Sequence, residues 1–386
     1  MTEIFEEVVN LRRELHQHPE IGFDLPKTLA LVRRELDALG IEYTDKFGQS
    51  SIVATICPEK KDFTIGLRAD MDALPIQEPE GVPFISQHPG CMHACGHDMH
   101  TATLLGVAKL LKQRESELNC RVKLLFTPAE EYVSPGCKQL AENGVMEDID
   151  CILAYHVDPE IPLGMVAVDA GGQGANSMGF TVEFFGQTAH AASQHKGKDA
   201  ISMAVEAYQA MHIMVAKEFS ANEPRVLNIG TIHGGKTNNI VCDYCEMFGT
   251  HRTHSDEVSE KLMQRIKEIC HGVAAMNGAR AEVTVKKFLP FVINNEVVTQ
   301  RIYEAAKQVI GEENIFHKRR NLGGEDFSFL CRQKPGMQFR VGTRTDEPRS
   351  ALPLHNDKLI FDERALDIAM KMMVQFVLDN QNGITF

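Results

Sequence analysis

The chain has 386 residues, with 40 Lys and Arg against 53 Asp and Glu, for a formal net charge of −13. That acidic surplus argues against affinity for nucleic acid or an anionic membrane surface, since both call for a basic face. With 43% hydrophobic and 24% charged residues and a mean hydropathy of −0.20, this is a globular composition; at roughly 150 residues per domain it has length for two or three domains.

The first elements read plainly. Ile4, Val8, Leu11 and Leu15 recur at helical spacing before Pro19, and a second helix is expected from about Lys27 to Leu39, closed by Gly40. Short apolar runs follow at Ser51–Cys57, Phe63–Leu67, Arg121–Phe126 and Cys151–Tyr155, with helical stretches such as Thr101–Lys112 and Gly136–Glu142 between them. Strands alternating with helices predict an α/β layer with a mostly parallel sheet. Around Gly171-Gly172-Gln173-Gly174 the rhythm breaks at an expected hinge. Beyond it we read strand 178–185, helix 199–217, strands 225–232 and 240–250, helix 255–277 and strand 281–288. That β-α-β-β-α-β order is the split unit of a ferredoxin-like α+β domain. It would be an insertion. After Pro290 come helices near 297–310 and 326–332, a short strand near 338–341 and a closing helix near 363–378. The expected partition is residues 1–174 with 290–386 as a discontinuous catalytic, metal-binding domain, and 175–289 as an inserted lid or dimerisation domain.

No apolar run approaches the roughly 20 residues of a membrane span. Residues 1–7 carry acids in place of the basic start and apolar stretch of a signal peptide, which points to the cytoplasm. There the ten cysteines are expected as reduced thiols. Cys242-Asp243-Tyr244-Cys245 is a C-x-x-C, but inside a predicted strand its two thiols face opposite sides.

The polar residues concentrate after the predicted strands, where α/β sheets bind ligands. His93-Ala94-Cys95-Gly96-His97-Asp98-Met99-His100 crowds thiol and imidazole, favoured ligands of zinc and other late divalent metals, around a glycine free to aim them inward. Read blandly, the same run is a polar helix start with Asp98 as its cap. Glu130-Glu131 offers adjacent carboxylates facing different ways, one able to bind a cation and the other to face an activated water and move its proton. Asp70 and Asp72 stand two residues apart after a strand, as ligands, as acceptors that orient a metal-binding imidazole, or as caps. His156 and His355 stand alone, and a lone histidine is more often structural.

Together, Leu67-Arg68-Ala69-Asp70-Met71-Asp72-Ala73-Leu74-Pro75, His93-Ala94-Cys95-Gly96-His97-Asp98, Pro128-Ala129-Glu130-Glu131 and Gly324-Glu325-Asp326-Phe327 resemble the aminoacylase and carboxypeptidase superfamily of dinuclear metallohydrolases. The similar branch is that of hippurate hydrolases, indole-acetyl-amino-acid hydrolases and N-acetyl-diaminopimelate deacetylases. His18-Pro19-Glu20-Ile21-Gly22-Phe23 looks like its N-terminal signature, and the resemblance spans essentially the whole chain. It implies two divalent ions per subunit, manganese or zinc with cobalt or nickel also accepted. Their ligands would be Cys95 as the bridge with His97, Glu131, His156 and His355. Glu130 would be the general base, with Asp70 and Asp72 orienting ligands rather than binding metal. In the insertion, Gly186-Gln187-Thr188-Ala189-His190-Ala191-Ala192 is similar to a segment whose histidine steadies the oxyanion, often across a dimer interface; it lacks that segment's second glycine. His190 takes that place, and Asn239 and Arg252 match positions associated with substrate binding.

The function expected is hydrolysis of N-acyl amino acids, acetyl, benzoyl or similar, to a carboxylate and a free amino acid. The partners expected are such a small molecule or a short peptide and a second copy of the chain, with no nucleic acid and no membrane. The alternatives are a dipeptidase or carboxypeptidase on the same centre, or a binding protein that keeps the fold without catalysis.

Overall fold

The computed structural model describes residues 2–132, 135–317 and 323–386. It falls into two compact units. One is built from Met1–Gln173 and from most of the chain after Val292; the other is built from Gly174–Phe291, joined by a short piece that ends at Glu325.

The first unit is organised by an eight-stranded sheet. Its order is Glu42–Thr44, Ile52–Ile56, Arg121–Thr127, Thr64–Asp70, Cys151–Pro162, Gly336–Arg344, Val166–Ala167 and Ile315–Phe316. The four strands from Arg121–Thr127 to Gly336–Arg344 run parallel to one another. Period-two alternation divides their side chains between two cores. Leu124, Phe126, Leu153 and Tyr155 join the helices Thr2–Gln17, His97–Gln113, Glu296–Ile310 and Ala365–Asn380. Leu125, Ile152 and Ala154 face Cys137, Leu140, Phe327 and Leu330 on the other side. Strands buried on both faces explain the unbroken apolar runs in the sequence.

The second unit is a four-stranded antiparallel sheet, Asn176–Phe185, Arg225–Gly234, Tyr244–Thr253 and Arg280–Leu289, with the helices Ala200–Lys217 and Asp256–Met276. In chain order the strands lie fourth, first, third, second, so the first and third are central. Each helix joins two strands that are not neighbours, which is the split β-α-β arrangement.

Several elements differ from expectation. The glycine run lies where the chain passes from one unit to the other, and within it Gly171–Gln173 forms a short strand paired with Val292–Asn294, since a glycine run can still use its backbone groups in a ladder. The expected helix near residues 326–332 is only Ser328–Cys331. The strand carrying His156 continues to Pro162, so that histidine lies within it, not at its end. Cys242 precedes its strand, and Cys242 and Cys245 are both buried. The short strands at the margins of the large sheet carry too few residues to show a period.

Candidate metal centre

Strand ends and one helix start build the site. The parallel strand Thr64–Asp70 delivers Asp70. Beside it, the strand ending at Thr127 leads to Ala129, which sits in the left-handed region at φ 58°. That conformation is unfavourable for a residue with a Cβ and is kept where surroundings over-determine it, often at functional sites. Here it turns the chain so that the backbone N–H groups of Glu130 and Glu131 donate to Asp72 Oδ1 and Oδ2, at 2.9 and 3.2 Å. His355 is also left-handed, at φ 67°. Gly96 precedes the helix His97–Gln113 with φ 85°, and a Cβ there would meet Val157 Cγ2 at 2.4 Å, so no side chain is accommodated between Cys95 and His97.

The hydrogen bonds fix which nitrogen of each histidine is presented. His97 Nδ1 lies 2.8 Å from the Asp72 carbonyl and His156 Nδ1 lies 2.6 Å from the Val157 carbonyl. A carbonyl only accepts, so both rings carry the proton on Nδ1 and turn Nε2 inward as a lone-pair donor. His97 Nε2 is buried without a hydrogen-bond partner. His156 Nε2 is 3.5 Å from Cys95 Sγ. Glu131 Oε1 and His355 Nε2 are 2.8 Å apart, yet Oε1 forms no aligned hydrogen bond. Two triads result, Cys95 with His97 and His156, and Cys95 with Glu131 and His355; within each, the donor atoms lie within 4.8 Å of one another. Glu130 joins His97 and Glu131 in a third such group. One thiol shared by two N/O/S sets, with an orphaned imidazole nitrogen, fits a pair of divalent cations.

The electrostatics agree. Burial by itself lowers the pKa of His97, but Asp70 and Cys95 outweigh it and hold it well above the usual histidine range; the pocket thus favours positive charge, and a cation bound at Nε2 would take the place of the proton held there. Burial and then Glu131 push the Cys95 thiol well up; a cation is what would hold it as thiolate. Burial, with His100 and Arg340, keeps His156 neutral, the form that ligates.

Around the donors lies a support that sequence reasoning assembled only in part. Burial disfavours the Asp70 carboxylate, but His97, Arg68 and His100 more than compensate and hold its pKa well below the ordinary range. Its oxygens receive His100 Nδ1 at 2.6 Å and Arg68 Nη1 at 2.7 Å. Arg68 also binds Thr127 Oγ1 and Asp326 Oδ1, and Asp326 Oδ2 accepts the N–H of Cys137. His100 accepts from the Val157 N–H through Nε2, so neither of its nitrogens is left for a ligand. Arg68, His100 and Asp326 were inside quoted motifs, but only three-dimensional pairing gives them this task. Asp98 is not a helix cap: it is buried within the first turn and pairs with Arg12 and His16. His93 is buried with neither ring nitrogen hydrogen-bonded and stands outside the donor triads.

In the second unit, His190 and Asn239 come together. His190 pairs with Ile240 in an isolated bridge, and the Ala191 N–H donates to the Asn239 carbonyl. His190 Nδ1 accepts from the Ala192 N–H, so the imidazole is held by its own turn. Arg252 is elsewhere. It lies near the far end of Tyr244–Thr253, eight residues beyond Tyr244, which at 3.2–3.4 Å per residue is about 26 Å. Arg252 and Asn239 of one chain therefore do not converge on one carboxylate. Arg252 is half-buried, burial lowers its pKa, and its nearest acceptors are Thr250 Oγ1 and the His251 carbonyl.

A parallel α/β unit that gathers a shared thiol, imidazoles and carboxylates in this way defines a metal-dependent hydrolase. The chain belongs to the family described as Peptidase family M20/M25/M40, which matches residues 66–379. It is 33% identical over 372 residues to an N-acetylcysteine deacetylase of Bacillus subtilis, covering 96% of each. It is also 33% identical to thermostable carboxypeptidase 2 of Saccharolobus solfataricus, covering 95% of this chain and 93% of that one. A solved structure described as a dinuclear metal binding peptidase from the M20 family, also of Bacillus subtilis, shares 31% identity and a TM-score of 0.83 over 98% of this chain and 99% of its own.

Proposed function

We propose that the protein cleaves the amide bond of N-acyl amino acids, releasing a carboxylate and a free amino acid. The observation that carries this reading is the pair of donor triads sharing Cys95, with the buried Glu130 among them. Cys95, His97, Glu131, His156 and His355 would hold two divalent cations, manganese or zinc, with cobalt and nickel also accepted by this donor set. Such cations, when bound, polarise an amide carbonyl and acidify water. Glu130, its N–H fixed on Asp72, takes a proton from the attacking water and returns it to the departing amine. Asp70 and Asp72 hold the surrounding groups in register. From the second unit, His190 and Asn239 donate hydrogen bonds to the developing oxyanion and the substrate, and Arg252 receives the free carboxylate.

A homodimer through the second unit follows from the same reading. One small substrate does not span the distance from Arg252 to Asn239, so both serve it only if they come from two copies. The unit has a face suited to a second copy. Arg225–Gly234 is an edge strand with Val226 and Ile232 exposed. The helix packed beside it exposes Ile201, Val205 and Tyr208 along one side. Among the described residues no helix is long and apolar enough to cross a membrane. The ten cysteines are all free thiols, which supports a reducing, cytoplasmic setting.

The test is turnover by metal-reconstituted protein on acetyl and benzoyl amino acids beside unblocked dipeptides, scored by released amine. Faster cleavage of the acyl amino acids is expected. Cleavage of dipeptides alone would make the protein a dipeptidase and sink the proposal.

A further inference from the structure

Tyr132 directly follows Glu130-Glu131, the proposed base and ligand, yet the residue is 49% exposed. The ring has a fixed seat. It lies over Gly22, where a Cβ would meet Tyr132 Cδ2 at 3.2 Å, and it meets the Phe23 ring edge to face at 6.4 Å and 82°. Gly22 is required twice, for that close approach and for its own φ of 62°.

The seat is tied to the scaffold of the metal centre. Ile21 bridges to Ala73, and the Ala73 N–H donates to the Glu20 carbonyl at 2.7 Å. The residue before, Asp72, holds His97, Glu130 and Glu131 through its carbonyl and carboxylate. The Ser50 hydroxyl pins the Phe23 carbonyl from the other side, and Asp24 N–H closes a turn on Ile21. An apolar surface of the exposed Tyr132, the half-buried Phe23 and the 36% exposed Ile21 is therefore held firmly beside Glu131. A preordered apolar surface binds without the entropy of ordering side chains.

We propose that Tyr132, seated on Gly22 and Phe23 with Ile21 beside it, is a specificity-determining wall that receives the acyl half of the substrate and favours aromatic or extended acyl groups over acetyl. The inference rests on the N-acyl amino acid reading above and names the acyl class within it. The acyl half is chosen on charge. Among its own residues, Ile21, Phe23 and Tyr132, the surface offers no cation to the free carboxylate carried by the amine half, and seating it there would leave that charge unpaired. The next cation along the chain, Lys27 in the first turn of the helix Pro26–Ala38, has its ammonium at His88 Nε2 and His18 Nδ1, 3.1 and 3.4 Å away. A neutral planar acyl group stacks on tyrosine at no such cost.

The experiment compares the metal-reconstituted wild type with Tyr132→Ala and Tyr132→Phe on the N-acetyl, N-benzoyl and N-octanoyl forms of one amino acid. It then takes a series of amino acids at constant acyl group. Metal content and circular dichroism confirm that each variant is folded and loaded. The ratio of benzoyl to acetyl kcat/KM falls at least about tenfold in Tyr132→Ala, through KM for the benzoyl substrate, and Tyr132→Phe keeps it. An unchanged ratio in Tyr132→Ala overturns the wall. So does a preference that shifts with the amino acid and not with the acyl group, since the ring then serves the amine half. A wild type that cleaves dipeptides but no acyl amino acid overturns the parent reading instead, and the wall with it.

Discussion

In the proposed mechanism the chemistry turns on Glu130, whose environment separates it from Glu131. Both N–H groups are held by Asp72, but only Glu131 is paired with His355 and set in a triad with Cys95. Glu130→Gln keeps shape and hydrogen bonding while removing the proton acceptor. We expect kcat to fall by roughly 10²–10⁴ with the bound metal retained, measured by turnover and metal analysis on the same sample. Near-normal turnover would assign the proton transfer to another group. At this scale the candidate donor types were legible in the sequence, because crowded cysteine, histidine and paired glutamate are chemically unusual. Which nitrogen each histidine presents was not legible: the carbonyls of Asp72 and Val157 decide that, and they are brought in by folding. Nothing in the dipeptide Ala129-Glu130 announces a left-handed alanine either.

Between elements, the first helix is fastened to the helix that starts at His97 by a buried charge cluster. Arg12 Nε lies 2.8 Å from Asp98 Oδ2, and His16 Nδ1 lies 2.7 Å from the same oxygen. His16 Nε2 meets Glu78 Oε1 at 3.0 Å. Arg12 is 2% exposed and Asp98 fully buried. Removing one partner leaves a charge without compensation, so Asp98→Ala is expected to cost about 3–5 kcal/mol in denaturant unfolding, far above a surface substitution. A cost below about 1 kcal/mol would show that water replaces the carboxylate there. The same cluster gives a pH dependence. Burial and Arg12 lower the pKa of His16, but Asp98 and Glu78 prevail and raise it above 6.5. Its stabilising charge is then fully present below pH 6.5 and is lost as pH rises through the folded value. The Tm difference between wild type and His16→Gln should therefore narrow as pH is raised from 6.5, by thermal melts across that range. A constant difference would mean that His16 acts by packing alone. Helix boundaries here were readable from period and from Pro19 and Gly40; the tie between residues 12, 16, 78 and 98 has no local signature.

For the whole molecule, the prediction concerns assembly. The exposed stripe Ile201, Val205 and Tyr208 and the open edge Arg225–Gly234 belong to one unit, and a second copy would cover both. Val205→Glu places a charge in that stripe, and we expect it to convert a dimer to a monomer in size-exclusion chromatography with light scattering. Activity is then expected to drop, because Asn239 and Arg252 would no longer be supplied to one substrate by two copies. A wild type that is already monomeric and active would remove the second copy from the mechanism.

Sequence alone determined the alternation of strands and helices, the interruption of one rhythm by another between about residues 174 and 291, and the motifs that carry the candidate donors. Each is written in neighbouring residues, as apolar period, glycine breaks or crowded donors. Only the tertiary structure decided that Cys95 is common to two triads and that Arg68 binds Asp326 across 258 positions of chain. It also separated Arg252 from Asn239 by most of a strand and laid Tyr132 on Gly22. Those facts depend on which strands become neighbours and on which groups burial leaves to satisfy one another, and neither is a property of any local stretch of chain.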